Sequence, residues 1–445
     1  MTEKSPAPPL PFGLNVRLSA MMFLQYAIWG AWLPLFWSFL TEHRKIAPEQ
    51  AGLLFSIAAI GAIVAPFLAG QIADRWLNTE KFLGISHILG AVLVWQLANV
   101  TTFPGFVIFG LLYSMIYAPT LPLSNALAFH HLPDRDRDFG KVRVWGTVGW
   151  IAVGIGIGQW LLYRHTPELN LIMKDNPAAP TNAAALAIQR LCQVEGMADA
   201  FKLSAILGLL QGLYCFTLPA TPPKPGQQKF APLAALAEVK KMPLLALFLI
   251  AFPVACMHQF YFVHTAGFLG TLKNDLADKI NVVFGVGGGG LMTIGQMGEI
   301  VVLAMMPVLA KKMSRKTLLT IGLCAYVARF AVFAFSSNIA VVIPALALHG
   351  LVFGCFFFVC FMIVDENTTP DVRASAQGLF NLVIVGLGTI VGNLFSGWIG
   401  GQAKPAGADA TNWKLLFGIP MAVCAVCLVA LLLLYPSKKT SEAAA

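Results

Sequence analysis

Between Asn281 and Ala310 the chain carries one charged side chain, Glu299, in an otherwise uncharged and largely apolar stretch. A hydrocarbon layer about 30 Å thick demands about 20 predominantly apolar residues from a helix that crosses it. Twelve stretches meet that demand, near 15–40, 50–73, 82–99, 104–130, 140–163, 201–219, 243–270, 284–310, 316–336, 339–363, 372–400 and 413–435. In lipid every backbone amide must pair within its own segment, so each stretch is expected as a helix. Composition agrees: 11% of residues are charged, against roughly 25% in soluble domains. The expectation is an all-α membrane protein with twelve transmembrane helices.

Orientation follows from Lys and Arg, which accumulate on cytoplasmic connections. With both termini cytoplasmic, the inner connections and tails hold twice as many of them as the outer connections do, and the net charge of +9 is mostly this asymmetry. It therefore gives no reason to expect nucleic acid as a partner. The longest inner connection, "TPPKPGQQKFAPLAALAEVKK", opens with Pro and Gly and reads as a linker. The expected organisation is a tail at 1–14, a six-helix bundle at 15–220, a cytoplasmic linker at 221–242, a second six-helix bundle at 243–435 and a tail at 436–445. The outer connection near 164–200 is long, and "NAAALAIQRLCQVEGMADAF" within it can form a surface helix.

Several function classes are disfavoured. Most of the eight cysteines lie inside apolar runs, and the "CAVC" of Cys424 and Cys427 sits within a continuous span. Small packing residues explain them better than a disulfide framework, redox pair or metal site. No metal-binding, phosphate-binding or dinucleotide fingerprint is present, so no cofactor, metal or enzymatic activity is expected. The "GVGGGG" at 285–290 has no basic residue after it within the helix; close helix packing or a flexible helix start accounts for it. The polar, Pro-rich start does not read as a cleavable signal peptide.

After the second span comes "GQIADRW", with Gly70, Asp74 and Arg75. It resembles the inner-loop motif G-x-x-x-D-R of the major facilitator superfamily. Gly permits close helix approach, Asp can pair across the helix ends and Arg supplies charge-assisted hydrogen bonds. Such a latch would favour one of two alternating-access states; the alternative is an ordinary solvated helix end. Five further stretches, "FLQYAIWGAWLP", "YAPTLPLSNALAF", "VRVWGTVGW", "GQMGE" and "TTPDVRASAQGLF", run in order through spans one, four, five and eight and into span eleven. Together they resemble the nucleoside:proton symporter family over nearly the full length. That resemblance implies the major facilitator fold, two six-helix bundles in the bacterial inner membrane, and proton-coupled nucleoside import. A monomer surrounded by membrane lipid is expected.

Arg143, Thr147 and Trp150 are spaced i, i+4, i+7 and share one helix face. A guanidinium, a hydroxyl and an indole are groups that would hold a base and a ribose; alternatively Arg143 snorkels to the cytosol. Gln25 and Trp29, with Trp32, repeat the spacing in span one, where an amide in lipid should face the bundle interior. In span seven Gln259 and Phe262 are i, i+3; the resembled family has Gln and Asn on this face, so Phe262 replaces one polar contact. His258 and His264 flank them as packing groups or proton carriers.

Gln296 and Glu299 lie one turn apart on one face. Glu299 is twelve residues before Lys311, hence about 18 Å from the helix end at 1.5 Å per residue. A charge at that depth is costly, and intramembrane acids usually mark a solute or proton pathway; a structural hydrogen bond is the alternative. The resembled family commonly has a further acid in span ten, but here "GCFFFVCFMIV" carries none before Asp365. Glu299 is thus the one carboxylate candidate for proton coupling. Arg329, the other deep charge, is expected to snorkel from a peripheral ninth span. Rival readings are a symporter for sugars or other small polar solutes, a non-transporting membrane sensor and an integral-membrane enzyme.

Overall fold

The computed structural model describes residues 8–73, 77–175, 181–222, 236–237, 239–272, 274–369, 372–405 and 410–436. They are helical nearly throughout. Ten helices among the described residues are long and apolar enough to cross a membrane. The two expected spans outside that set, 50–73 and 201–219, are occupied by the helices Pro48–Ala73 and Ala198–Cys215; in the latter Asp199, Lys202 and Gln211 dilute the apolar character. The chain divides into two compact units, Met1–Arg44 with Ile60–Gln227 and Lys45–Ala59 with Gln228–Ala445.

The first unit contains α1 (Phe12–Trp32), most of α2 (Pro48–Ala73), α3 (Thr79–Asn99), α4 (Phe103–Tyr117), α5 (Thr120–His131), α6 (Arg135–His165), α7 (Leu169–Asp175), α8 (Asn182–Gly196) and α9 (Ala198–Cys215). α1 packs on α6 because small residues face it: a Cβ at Gly149 would fall on the backbone of Phe23. The surface helix expected in the outer connection is α8, capped by the Thr181 hydroxyl, which accepts from the Ala184 amide at 3.3 Å. The structure ties it to the continuation of α1: Arg190 donates from Nε and Nη2 to the two Glu42 carboxylate oxygens at 2.8 and 2.7 Å.

The second unit contains the start of α2, then α10 (Leu244–Thr271), α11 (Asp275–Phe284), α12 (Gly289–Lys312), α13 (Arg315–Phe335), α14 (Ile339–Ala347), α15 (Val359–Glu366), α16 (Arg373–Asn381), α17 (Gly388–Ala403) and α18 (Trp413–Leu434). The "GVGGGG" stretch is the entry to α12: Gly285, Gly287 and Gly288 adopt φ of 78°, 86° and 84°, a region open to glycine and costly for other residues. One buried core of Leu, Val, Phe and Tyr runs through α10, α12, α13, α14, α15 and α18. The opposite side of α18 leaves Val426, Val429, Leu432 and Leu433 exposed, as a lipid-facing surface does. Between α14 and α15 the backbone passes through one turn, His349–Leu351, and a π-helical stretch, Val352–Phe358. Such interruptions of α-helical pairing gather at functional sites.

Candidate functional site

Polar side chains gather inside each unit. In the first, Gln25 of α1 is wholly buried. Its amide donates to the Thr120 hydroxyl at 2.8 Å, its side-chain oxygen lies 2.9 Å from His87 Nε2, and its backbone carbonyl accepts from the Tyr117 hydroxyl at 2.6 Å. Thr120 in turn donates to the Tyr117 carbonyl at 2.6 Å. The "YAPT" segment of span four and Gln25 of span one are therefore one hydrogen-bonded network. Every polar atom of the Gln25 side chain is engaged, as burial away from water requires. Its amide fixes α1 against α3 and α5.

Next to this network stand half-buried groups. Trp29 meets Trp150 edge to face, with ring centroids 5.9 Å apart, and Tyr117 at 6.3 Å. Arg143 holds its guanidinium carbon 4.1 Å from the centre of the Tyr26 ring, a cation–π distance. Gly146 makes room for that stack, since a Cβ there would lie 2.6 Å from Tyr26 Cδ2 and 2.9 Å from Arg143 Nη1. The structure thus turns Arg143 onto α1. Thr147, one turn on, is half-buried on α6, as is Trp150. Arg143 and Trp150 of span five and Trp29 of span one, the last read separately in the sequence, form one wall of aromatic faces and donors.

In the second unit Gln296 and Glu299 lie near the middle of α12. Gln296 is 6% exposed, and its side-chain oxygen has no hydrogen-bond partner among the described residues. Such an acceptor is costly to leave unmade, and a solute donor would satisfy it. Glu299 points at His349, with Oε2 3.9 Å from Nε2. The glycines of "GQMGE" explain how the two come together. A Cβ at Gly350 would fall on the Gly298 carbonyl and 2.7 Å from the Glu299 amide nitrogen. A Cβ at Gly295 would lie 2.7 Å from the Tyr261 hydroxyl and 3.0 Å from His349 Cβ. Backbone meets backbone here, and only glycine allows it.

His349 is 2% exposed and stacks on Tyr261 at 4.7 Å and 17° and on His258 at 5.6 Å and 14°. Phe262 closes the cluster edge-on, 5.1 Å from His258 and 6.1 Å from His349. Gln259 is half-buried, its amide donating to the Thr389 hydroxyl at a long 3.4 Å. The two histidines of span seven are both engaged: His258 Nδ1 lies 2.7 Å from the Tyr326 hydroxyl, and His264 Nε2 lies 3.0 Å from the Ser396 carbonyl.

Arg329 is a correction. It does not snorkel: it is 0% exposed, with its guanidinium carbon 4.3, 5.2 and 5.1 Å from the ring centres of Tyr261, Tyr326 and Phe330. Its Nη1 donates to His349 Nδ1 at 3.0 Å. His349 was missed altogether. Its signal was there: a polar ring in the apolar run "IPALALHGLVFG", followed by a glycine. Of the inner-loop latch, Asp74 and Arg75 lie outside the described residues, and only the backbone of Gly70, near the end of α2, falls within them.

Comparison with known proteins gives a consistent answer. The family described as nucleoside H+ symporter matches residues 12–173 and 180–440. The putative nucleoside transporter YegT of Escherichia coli (strain K12) is 31% identical over 392 residues, covering 86% of this chain and 84% of that protein. The nucleoside permease NupG of the same organism is 28% identical over 421 residues, or 91% of each chain. The crystal structure of the nucleoside transporter NupG superposes with a TM-score of 0.79 at 24% identity, covering 96% of this chain and all of that one. At that identity the likeness speaks for the fold. Family and fold agree with the multi-pass helical architecture, and the chain belongs to the nucleoside:H+ symporter family, whose members are transporters and not enzymes.

Proposed function

We propose that the chain imports nucleosides with protons across the bacterial inner membrane by alternating access. It does so as twelve spans in two bundles of six, 15–220 and 243–435, joined by a cytoplasmic linker at 221–242. Both tails, 1–14 and 436–445, lie in the cytoplasm, and the working unit is a monomer. Arg143, Thr147, Trp150 and Trp29 contact the nucleoside from the first unit, and Gln259, Phe262, Gln296 and Glu299 from the second. Gln25 joins Trp29 in holding the nucleoside from the first unit. Gly70, Asp74 and Arg75 serve as the conformational latch, a reading supported by their motif.

The observation that carries this reading is Glu299, an acid at mid-span, with the Gln296 oxygen, unpartnered among the described residues, one turn away. An acid there can change charge during the cycle. Protonated, it both donates and accepts hydrogen bonds to a ribose hydroxyl or base edge; ionised, it only accepts. Loss of the proton to the cytoplasm removes the donor and weakens the hold on the solute, which couples the two fluxes. The test is uptake of radiolabelled uridine, adenosine and a panel of sugars into cells expressing the protein, with and without a protonophore. Nucleoside accumulation that collapses with the protonophore is expected. Glu299→Gln should abolish accumulation and leave counterflow exchange. Accumulation by the Gln variant against a gradient would move the coupling site elsewhere.

A further inference from the structure

Arg329 carries a permanent charge into the second unit, and its Nε and Nη2 find no hydrogen-bond partner among the described residues. The aromatic faces of Tyr261, Tyr326 and Phe330 solvate the cation in part. Among the described residues no direct ion pair joins it to an acid. It is connected to one through a ring: Arg329 Nη1 to His349 Nδ1 at 3.0 Å, and His349 Nε2 to Glu299 Oε2 at 3.9 Å.

The direction of this chain is fixed by chemistry. A guanidinium only donates, so His349 Nδ1 must offer its lone pair. A neutral imidazole with a bare Nδ1 carries its proton on Nε2, and that is the nitrogen facing the carboxylate. Near-parallel contacts with the Tyr261 ring and with the His258 ring hold the His349 ring in this plane. The Gly298–Gly350 approach sets its distance from Glu299.

We infer that His349 and Arg329 are positioning residues for proton coupling: His349 relays the buried charge of Arg329 to Glu299 and so sets how tightly Glu299 holds its proton. The inference rests on the reading of Glu299 as the coupling acid. Two influences compete at that carboxyl. The low-dielectric surroundings favour the neutral acid, whereas the Arg329 charge and the Nε2–H dipole favour the carboxylate. An acid under the first influence alone would stay protonated and release nothing to the cytoplasm. The balance lets it cycle. Among the described residues, titratable groups that also face the chain include His258 and Tyr261 on α10, Tyr326 on α13 and Cys424 on α18. None of them is an acid able to replace Glu299 as the partner of Arg329. His349 itself stays neutral throughout, since a proton on Nδ1 would set two cations 3.0 Å apart.

Two substitutions separate the relay from a proton carrier. In His349→Gln the amide oxygen can accept from Arg329 and the amide nitrogen can donate toward Glu299, but nothing titrates. In His349→Phe the ring stack survives and both polar links are lost. Uridine uptake is measured against external pH, with counterflow exchange at equal pH as the control for a folded protein. His349→Gln should keep proton-driven accumulation and the wild-type pH profile. His349→Phe should move half-maximal uptake to higher pH by about one unit, because the influence favouring the carboxylate is weakened. In the Glu299→Gln background counterflow exchange should be the same with and without His349→Phe. Should His349→Phe not reach the membrane, Arg329→Gln removes the charge and should shift the profile in the same direction. A wild-type profile in His349→Phe overturns the inference. So does a His349→Gln variant that exchanges nucleoside but no longer accumulates it, which would make His349 the proton carrier. Accumulation by Glu299→Gln alone overturns the underlying reading of Glu299, and that arm is scored independently of the histidine variants.

Discussion

Gly350→Ala tests whether the backbone approach at Gly298 is what sets the Glu299–His349 geometry. An added Cβ would sit on the Gly298 carbonyl and 2.7 Å from the Glu299 amide nitrogen, where ordinary contact begins at 3.4 Å. Both obstacles are backbone, so no side chain can swing away. The two segments must part by about 1 Å, and overpacking of that kind costs about 1–3 kcal/mol. For a unit of this size the midpoint of thermal unfolding should fall by roughly 2–10 °C. The Nε2 to Oε2 separation, now 3.9 Å, should open to roughly 5 Å, by the same displacement. Unfolding of the purified protein in detergent reads the first effect; proton-driven uptake relative to counterflow reads the second. Accumulation should fall more than exchange. Gly156→Ala is the control: a Cβ there meets nothing within 4 Å, so this helical position should be neutral or gain about 0.4–1 kcal/mol. If Gly350→Ala unfolds at the wild-type temperature and accumulates uridine normally, the close approach does not position the acid.

Arg143→Ala and Thr147→Ala should each weaken nucleoside binding while the protein still reaches the membrane. A lost hydrogen bond to a buried polar solute costs on the order of 1–3 kcal/mol, or roughly five- to 100-fold in affinity; equal affinities by calorimetry on mutant and wild type would return both residues to a packing role. Reporter fusions test the orientation: a fusion at Gln227 should report a cytoplasmic position and one at Asn182 a periplasmic position, and the reverse pattern would refute it.

Much of the fold was legible because lipid leaves so few choices. Apolar length and the need for internal backbone pairing specify helices without any tertiary information. The start of α12 was legible in part: the glycine run reads as close packing or a flexible helix start, and Gly285, Gly287 and Gly288 adopt positive φ there. The site was legible in part. Gln296 and Glu299 share a face by spacing alone, and that face is where α12 meets His349. Gln25 shows the limit. Spacing put it on an interior face, but whether an interior amide meets solute or structure depends on what stands opposite. Opposite it are His87 and Thr120, 62 and 95 residues away in sequence.

The misreading of Arg329 is the more instructive failure, because the sequence held the means to avoid it. The expectation of snorkelling rests on a peripheral position for the ninth span. The phase of the helix says otherwise. Tyr326, Arg329, Phe330 and Phe333 fall at i, i+3, i+4 and i+7, the stripe that a helix turns to its core. All four are at most 1% exposed. A guanidinium on that stripe cannot reach water without leaving the core, so it requires a compensating acid nearby. On charge balance alone, the acid should be a neighbour at similar depth. Glu299 is the deep carboxylate of this chain, and the one link still needed between them is a side chain that accepts from arginine on one edge and donates to a carboxylate on the other. Neutral histidine does both. Read in that order, the charge on α13 calls for the acid on α12, and the two together call for His349.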